Sequence, residues 1–162
     1  MRRAIAAAAI LGLAACGGTA PVNDLAATGM VRERFQAWVH AFNDHALAEL
    51  EPFYSHHDYL TFAWPNGERT RGWQREADYQ RTFLPSVTLM HLVPRDPVIV
   101  LARKNLAVIS FAFSLSLTAG ENAQVGPGQG IMVWQEEDGA WRIIAAQLSY
   151  TRVAEARVPE RR

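Results

Sequence analysis

The chain has 162 residues, with sixteen Lys or Arg against sixteen Asp or Glu, one cysteine, and 49% apolar residues. The basic residues are scattered singly with no aromatic stripe beside them, which excludes a nucleic-acid surface. A lone cysteine excludes an internal disulfide. Once an apolar leader of about fifteen residues is set aside, the rest is enough for one compact domain and too little for two.

The leader comes first in chain order. Arg2 and Arg3 give it a positive start, and Ala4 to Leu13 form an uncharged apolar run too short to span a bilayer as a helix. The run ends in Leu13-Ala14-Ala15-Cys16, which resembles the lipobox of bacterial lipoproteins. That resemblance implies that residues 1–15 are a signal peptide and that Cys16 carries the lipid attachment. Several acyl chains would then anchor the chain, each buried methylene contributing about 0.8 kcal/mol. The other reading is an ordinary secretory peptide cut after an Ala-x-Ala-like site, with Cys16 incidental. Gly17 in place of Asp implies the outer rather than the inner membrane, with the protein facing the periplasm. Residues 16–29, rich in Gly, Ala and Thr, read as a flexible tether, and residues 154–162 as a disordered tail.

Residues 30–153 read as the domain, helices first and strands after, the order of an α+β fold. Val31, Phe35, Trp38, Val39 and Phe42 mark one face of a helix of about 14 residues. Asn43 or Asp44 then caps a short helix with Leu47 and Leu50, stopped near Pro52. His57 to Trp64 reads as a strand, with Pro65-Asn66-Gly67 as its turn. Gly72 opens a third helix from Trp73 to about Leu84, ended by Pro85. Strands follow over Val87 to Val93, Val98 to Arg103, Leu106 to Thr118, Gly128 to Glu136 and Ala140 to Val153. Pro94 and Pro97 flank a break, so the first two of these runs can be one strand with a bend.

Phe35-x-x-Trp38 to Asn43-Asp44, the junction from Asn66-Gly67 to Gly72-Trp73, and the closing hairpin from Val133 to Ile144 together resemble the NTF2-like superfamily, and within it the SnoaL-like and DUF4440 group. The resemblance implies a cone: a curved, mostly antiparallel sheet wrapped around three helices, with a pocket open at one end. That group often carries two histidines after the Trp-Arg-Ile segment. Here those positions are Ala145 and Gln147, with only the following Ser149 kept, which removes titratable groups from this strand.

If Asp138-Gly139 is a two-residue turn, Glu137 faces Ala140, and counting back pairs Trp134 with Ile143, Met132 with Ala145, Gly130 with Gln147 and Gly128 with Ser149. Bulk is then missing where polar groups remain, as a cavity wall requires. The other reading is that the glycines supply a bend in a curved sheet. The opposite face, with Val133, Ile144, Ile131 and Ala146, is apolar enough to expect a second copy of the chain against it.

For chemistry there remain His57, Asp58, Tyr59 and His91. Adjacent strand residues face opposite ways, so His57 and Asp58 cannot share a pocket. His91 shares a face with Val87, Leu89 and Val93, as a core histidine or as one reaching the cavity. His40 and His45 are five apart and no cysteine cluster or phosphate loop exists, so no metal and no cofactor is expected. The expected function is a cell-envelope protein that binds a small apolar or aromatic molecule without catalysis, through Trp38, Tyr59, Trp64, Met132, Gln147 and Ser149. Two alternatives stay open: a cone-fold isomerase, dehydratase or hydrolase using His91 or His57 as base, and an envelope assembly protein acting through the outer sheet face.

Overall fold

The computed structural model describes residues 21–119 and 122–151. Cys16, the segment read as an export signal and the tail of residues 154–162 lie outside the described residues.

Helix α1 (Leu25–Asp44) starts on Asp24, whose carboxylate accepts from the Ala27 N–H at 3.0 Å, satisfying one of the donors a helix start leaves free. The helix therefore begins inside the stretch expected to be a tether, and Ala27 is already buried. Its stripe of Val31, Phe35, Trp38 and Phe42 is buried as the spacing requires. His45, in the left-handed region at φ 43°, ends it. The single turn α2 (Leu47–Leu50) and a 3-10 turn carrying Pro52 lead back toward the sheet. Arg34 fastens this corner. Its Nε donates to the Trp141 carbonyl at 3.2 Å, its Nη2 to the Pro52 carbonyl, and its guanidinium lies 4.0 Å from the centre of the Phe53 ring.

The strand expected over residues 57–64 is only β1 (Thr61–Ala63). His57 sits in the turn before it, exposed. The Pro65-Asn66-Gly67 turn forms, with Gly67 at φ 92°, and delivers a further short strand, β2 (Arg69–Arg71). Helix α3 (Trp73–Phe83) follows, and a turn at Pro85 leads into four long strands, β3 (Val87–Arg103), β4 (Leu106–Ala119), β5 (Asn122–Glu137) and β6 (Ala140–Tyr150). The sheet order is β2-β1-β6-β5-β4-β3, antiparallel except where β1 runs parallel to β6. This is the curved six-stranded sheet around three helices of an α+β cone, as expected.

The runs before and after Pro94 and Pro97 are one edge strand, bent at Arg95 to Val98, where Asp96 takes φ 50°. Proline tolerates an edge because no neighbour needs its missing N–H. Farther along, the free edge at Leu92 is covered by α1: Asn43 Oδ1 accepts from the Leu92 N–H at 2.7 Å and its Nδ2 donates to the Leu92 carbonyl at 3.1 Å. One side-chain amide thus replaces a missing strand.

Asp138-Gly139 makes the expected two-residue hairpin, both residues at positive φ. The register counted from it holds as far as Trp134 with Ile143 and then slips. Val133 pairs with Ala145, leaving Ile144 as the extra residue of a β-bulge. A one-residue slip turns every later side chain to the other face. Met132 pairs with Ala146, Gly130 with Leu148 and Gly128 with Tyr150, so Gln147 and Ser149 point outward and are exposed. A second bulge, between Val87 and Leu89, does the same to His91. Met90 and Leu92 face the core, while Leu89, His91 and Val93 are exposed on the outer face.

Candidate functional site

The glycines open no cavity. A Cβ on Gly130 would come within 2.7 Å of the Phe111 ring, and one on Gly128 would strike the Phe113 ring and come within 2.5 Å of the Ser149 carbonyl oxygen. Phe111 and Phe113, paired across β4 and β5 with Gly130 and Gly128, lie over the bare backbone and occupy the space their missing side chains leave.

Deeper in the cone is a buried carboxylate. On α3, Trp73, Glu76, Ala77 and Gln80 form the buried stripe, spaced i, i+3, i+4, i+7, which puts Glu76 on the core face rather than the solvent face. Its Oε1 accepts from Gln80 Nε2 at 2.6 Å, and its Oε2 accepts from the Trp64 Nε1–H at 3.3 Å and from the Thr70 hydroxyl on β2. Burial raises its pKa above the ordinary carboxylate range, although the Gln80, Thr70 and Trp64 donors favour the charged form and pull the other way. Beside it, the Tyr54 hydroxyl accepts from Trp38 Nε1 at 3.3 Å. Burial first, and the nearby Glu76 charge second, push that phenol above its usual range. Glu76 has no exposed surface. Its three donors come from α3, β2 and the residue after β1, so its role in this arrangement is to lock Trp64 and β2 onto α3.

Trp64, held by Glu76, forms one wall of a recess at the end of the cone. Tyr79 and Phe83 of α3 stand 5.2 and 5.7 Å from its ring centre and 5.5 Å from each other. Phe42 of α1 closes one side, and Met90, Leu115, Leu117 and Tyr150 of the sheet make the rest, with Asn66 at the rim donating to the Tyr79 hydroxyl at 2.9 Å. The recess is tight: its cavity volume is about 20 Å³, room for about one water. Among the described residues no charged side chain lines it. The Tyr150 hydroxyl oxygen is buried without a hydrogen-bond partner among the described residues.

The residues expected to line a site are not brought together. Trp64 lines the recess. Trp38 and Met132 are fully buried in the core beneath it. Tyr59, about half exposed, donates to Glu137 Oε1 at 2.8 Å beside the Ser55 hydroxyl, far along the hairpin. Gln147 borders a trough on the outer sheet face with Ile131, Val133, Ala145 and Arg69, and Ser149 lies on the same outer side. On the same measure as the 20 Å³ of the recess this trough is far roomier, about 490 Å³, but it is an open sheet surface rather than an enclosure. The two histidines expected as bases are both outside the cone. His57 stacks on Tyr59 with ring centres 4.9 Å apart, and His91 is on the outer face. Among the described residues no three of His, Cys, Asp and Glu cluster as metal ligands would, and no helix is long and apolar enough to cross a membrane.

A family model for the SnoaL-like domain matches residues 31–152. No curated protein matches the chain in sequence. Among solved structures, an NTF2-like superfamily protein from Salmonella enterica is similar at 20% identity and TM-score 0.69, covering 85% of this chain and 98% of that one. An NTF2-like protein from Cytophaga hutchinsonii is similar at 20% identity and TM-score 0.64, covering 76% and 97%. One of unknown function from Pseudomonas putida is similar at 16% identity and TM-score 0.68, covering 82% and 92%. At these identities the likeness carries the NTF2-like fold and no activity.

Proposed function

We propose, starting from the fact that the chain belongs to the SnoaL-like domain family, that its cone is a non-catalytic receptor for a small apolar or aromatic molecule, held in the cell envelope by a lipid on Cys16. The observation that carries the binding role is the recess itself, whose walls are aromatic and aliphatic, the composition of a small-molecule site. Its narrowness means that a ligand enters as the partly buried Tyr79 and Phe83 rings turn outward. A non-catalytic role fits because the buried carboxyl in the cone is sealed behind Trp64 with three donors on it, and His57 and His91 lie outside. The envelope address rests on Arg2, Arg3 and Leu13-Ala14-Ala15-Cys16.

A thermal-shift screen of the purified protein with apolar and aromatic compounds tests the binding role. Binders are expected to raise the melting temperature of the wild type and not of Trp64→Ala, while Gln147→Leu, on the outer face, leaves the response intact. No binder from a broad set, or binders insensitive to Trp64→Ala, would count against the recess.

A second copy of the chain on the outer sheet face is a separate proposal. Across β3, β4, β5 and β6 the outward residues run Val100, Val108, Val133, Ala145 in one row and Val98, Ser110, Ile131, Gln147 in the next, all uncharged. Val98 and Ile131 are about half exposed. Two adjacent uncharged rows of this width suit a self-complementary contact.

A further inference from the structure

Resting on the lipid at Cys16, we propose that the end of the cone carrying the β3–β4 turn, Arg103-Lys104-Asn105, is the surface that meets the bilayer, and that the recess is held at the end turned away from it.

Val22 is fixed to the sheet. Its N–H donates to the Leu101 carbonyl at 2.9 Å, and its side chain packs against the core. Leu101 is two residues short of the end of β3, so this point lies beside the Arg103-Lys104-Asn105 turn. The β5–β6 turn at Asp138-Gly139 stands next to it, since the Glu136 N–H donates to the Asn105 carbonyl at 3.0 Å. Both turns and the start of α1 therefore form one end of the cone. The recess is at the other end, lined by Phe42 from the last turn of α1, Met90 from the start of β3 and Tyr150 from the end of β6. Leu101 and Met90 are eleven residues apart on β3, a separation on the order of 30 Å at strand rise even with the bend. Cys16 is only six residues before Val22, and six residues span at most about 22 Å however they are arranged. Turning the recess onto the bilayer would require that link to run back along the cone, farther than it reaches. A cone lying on its side still keeps the recess at the end farther from the anchor. The near end is mixed in charge, with exposed Arg103 and Lys104 beside exposed Glu136 and Asp138, so the short link rather than attraction to headgroups sets the orientation.

The test uses the acylated full chain in vesicles of phosphatidylethanolamine and phosphatidylglycerol that contain a lipid with a nitroxide on its headgroup. Cys16 is the only cysteine and the lipid takes its thiol, so a cysteine introduced as Lys104→Cys or as Glu68→Cys is the one thiol free for a fluorophore. Both positions are exposed, the first in the β3–β4 turn and the second beside Asn66 at the rim of the recess. The label at position 104 is expected to be quenched several-fold more than the label at position 68, in low and high salt alike. Inserting about thirty Gly and Ser residues between Gly17 and Gly18, enough to reach around the cone, should erase most of that difference. Equal quenching at the two positions without the insertion, or stronger quenching at position 68, overturns the orientation while the anchor stands. A difference that survives the insertion overturns the short link as its cause. If the Cys16→Ser chain sediments with the vesicles as the acylated chain does, the anchor fails and this inference fails with it.

Discussion

The Trp64 indole donates to Glu76 across 3.3 Å, and through that bond a carboxylate with no exposed surface fixes the wall of a pocket it does not itself line. Removing the carboxylate in Glu76→Ala leaves the Trp64, Thr70 and Gln80 donors without an acceptor. The expected loss is about 2–4 kcal/mol of stability, read by denaturant unfolding. A loss under about 1 kcal/mol would mean that water replaces the carboxylate freely.

The same burial gives stability a pH dependence. Glu76 has a folded-state pKa above its ordinary value of 4.5, so the folded form keeps a proton that the unfolded form releases. The stability this contributes is complete below that ordinary value and is lost as pH rises through the raised one. Subtracting the curve of Glu76→Gln, which does not titrate, should leave a difference that falls with rising pH across this window. A difference that rises instead would show the carboxyl to be held charged.

Gly128 and Gly130 differ in how their substitutions can be relieved. In Gly130→Ala the three atoms nearest the added methyl all belong to the Phe111 ring, whereas in Gly128→Ala the Ser149 carbonyl oxygen is among them. Both should destabilise by about 1–3 kcal/mol, the usual cost of overpacking. Adding Phe111→Leu should recover much of the first, and Phe113→Leu little of the second. Equal recovery in both would indicate that the β6 backbone moves aside.

Asn43 holds the edge of β3 with both ends of its amide. Asn43→Ala should cost about 1–3 kcal/mol, and Asn43→Asp, which keeps the acceptor but sets a charged oxygen against the Leu92 carbonyl, should recover little of it. Hydrogen exchange at the Leu92 amide reports the local opening directly, and protection unchanged in Asn43→Ala would contradict the role.

Two proposals concern the chain's surroundings. Metabolic labelling with a radioactive fatty acid should mark the wild type and not Cys16→Ser, and equal labelling of both would remove the anchor. Light scattering should show a dimer that Ile131→Lys dissociates, whereas a wild-type monomer at high concentration would leave the outer face without its second copy.

The hairpin was legible because Asp138-Gly139 fits one turn type, and α1 because its apolar stripe is long. The bulge at Ile144 was not, since an extra residue in a strand leaves the alternation of an apolar Ile-Ile-Ala-Ala run undisturbed. From that one residue came the misplacement of Gln147 and Ser149. Glu76 is not among the residues expected to carry chemistry, although its spacing from Trp73, Ala77 and Gln80 marks the buried stripe. The Phe111 and Phe113 rings over the glycines become visible only once the register of β4 against β5 is known.

The binding role of the recess is tested most directly by NMR spectra that resolve the indole N–H groups of the five tryptophans together with the backbone amides, during titration with a small apolar ring such as ethylbenzene. The expected result is a saturable shift of Trp64 with the Tyr79 and Phe83 signals beside it, while residues of the outer trough, Ile131 and Gln147, stay still. Shifts confined to Ile131 and Gln147, or none at Trp64 at saturation, would contradict it.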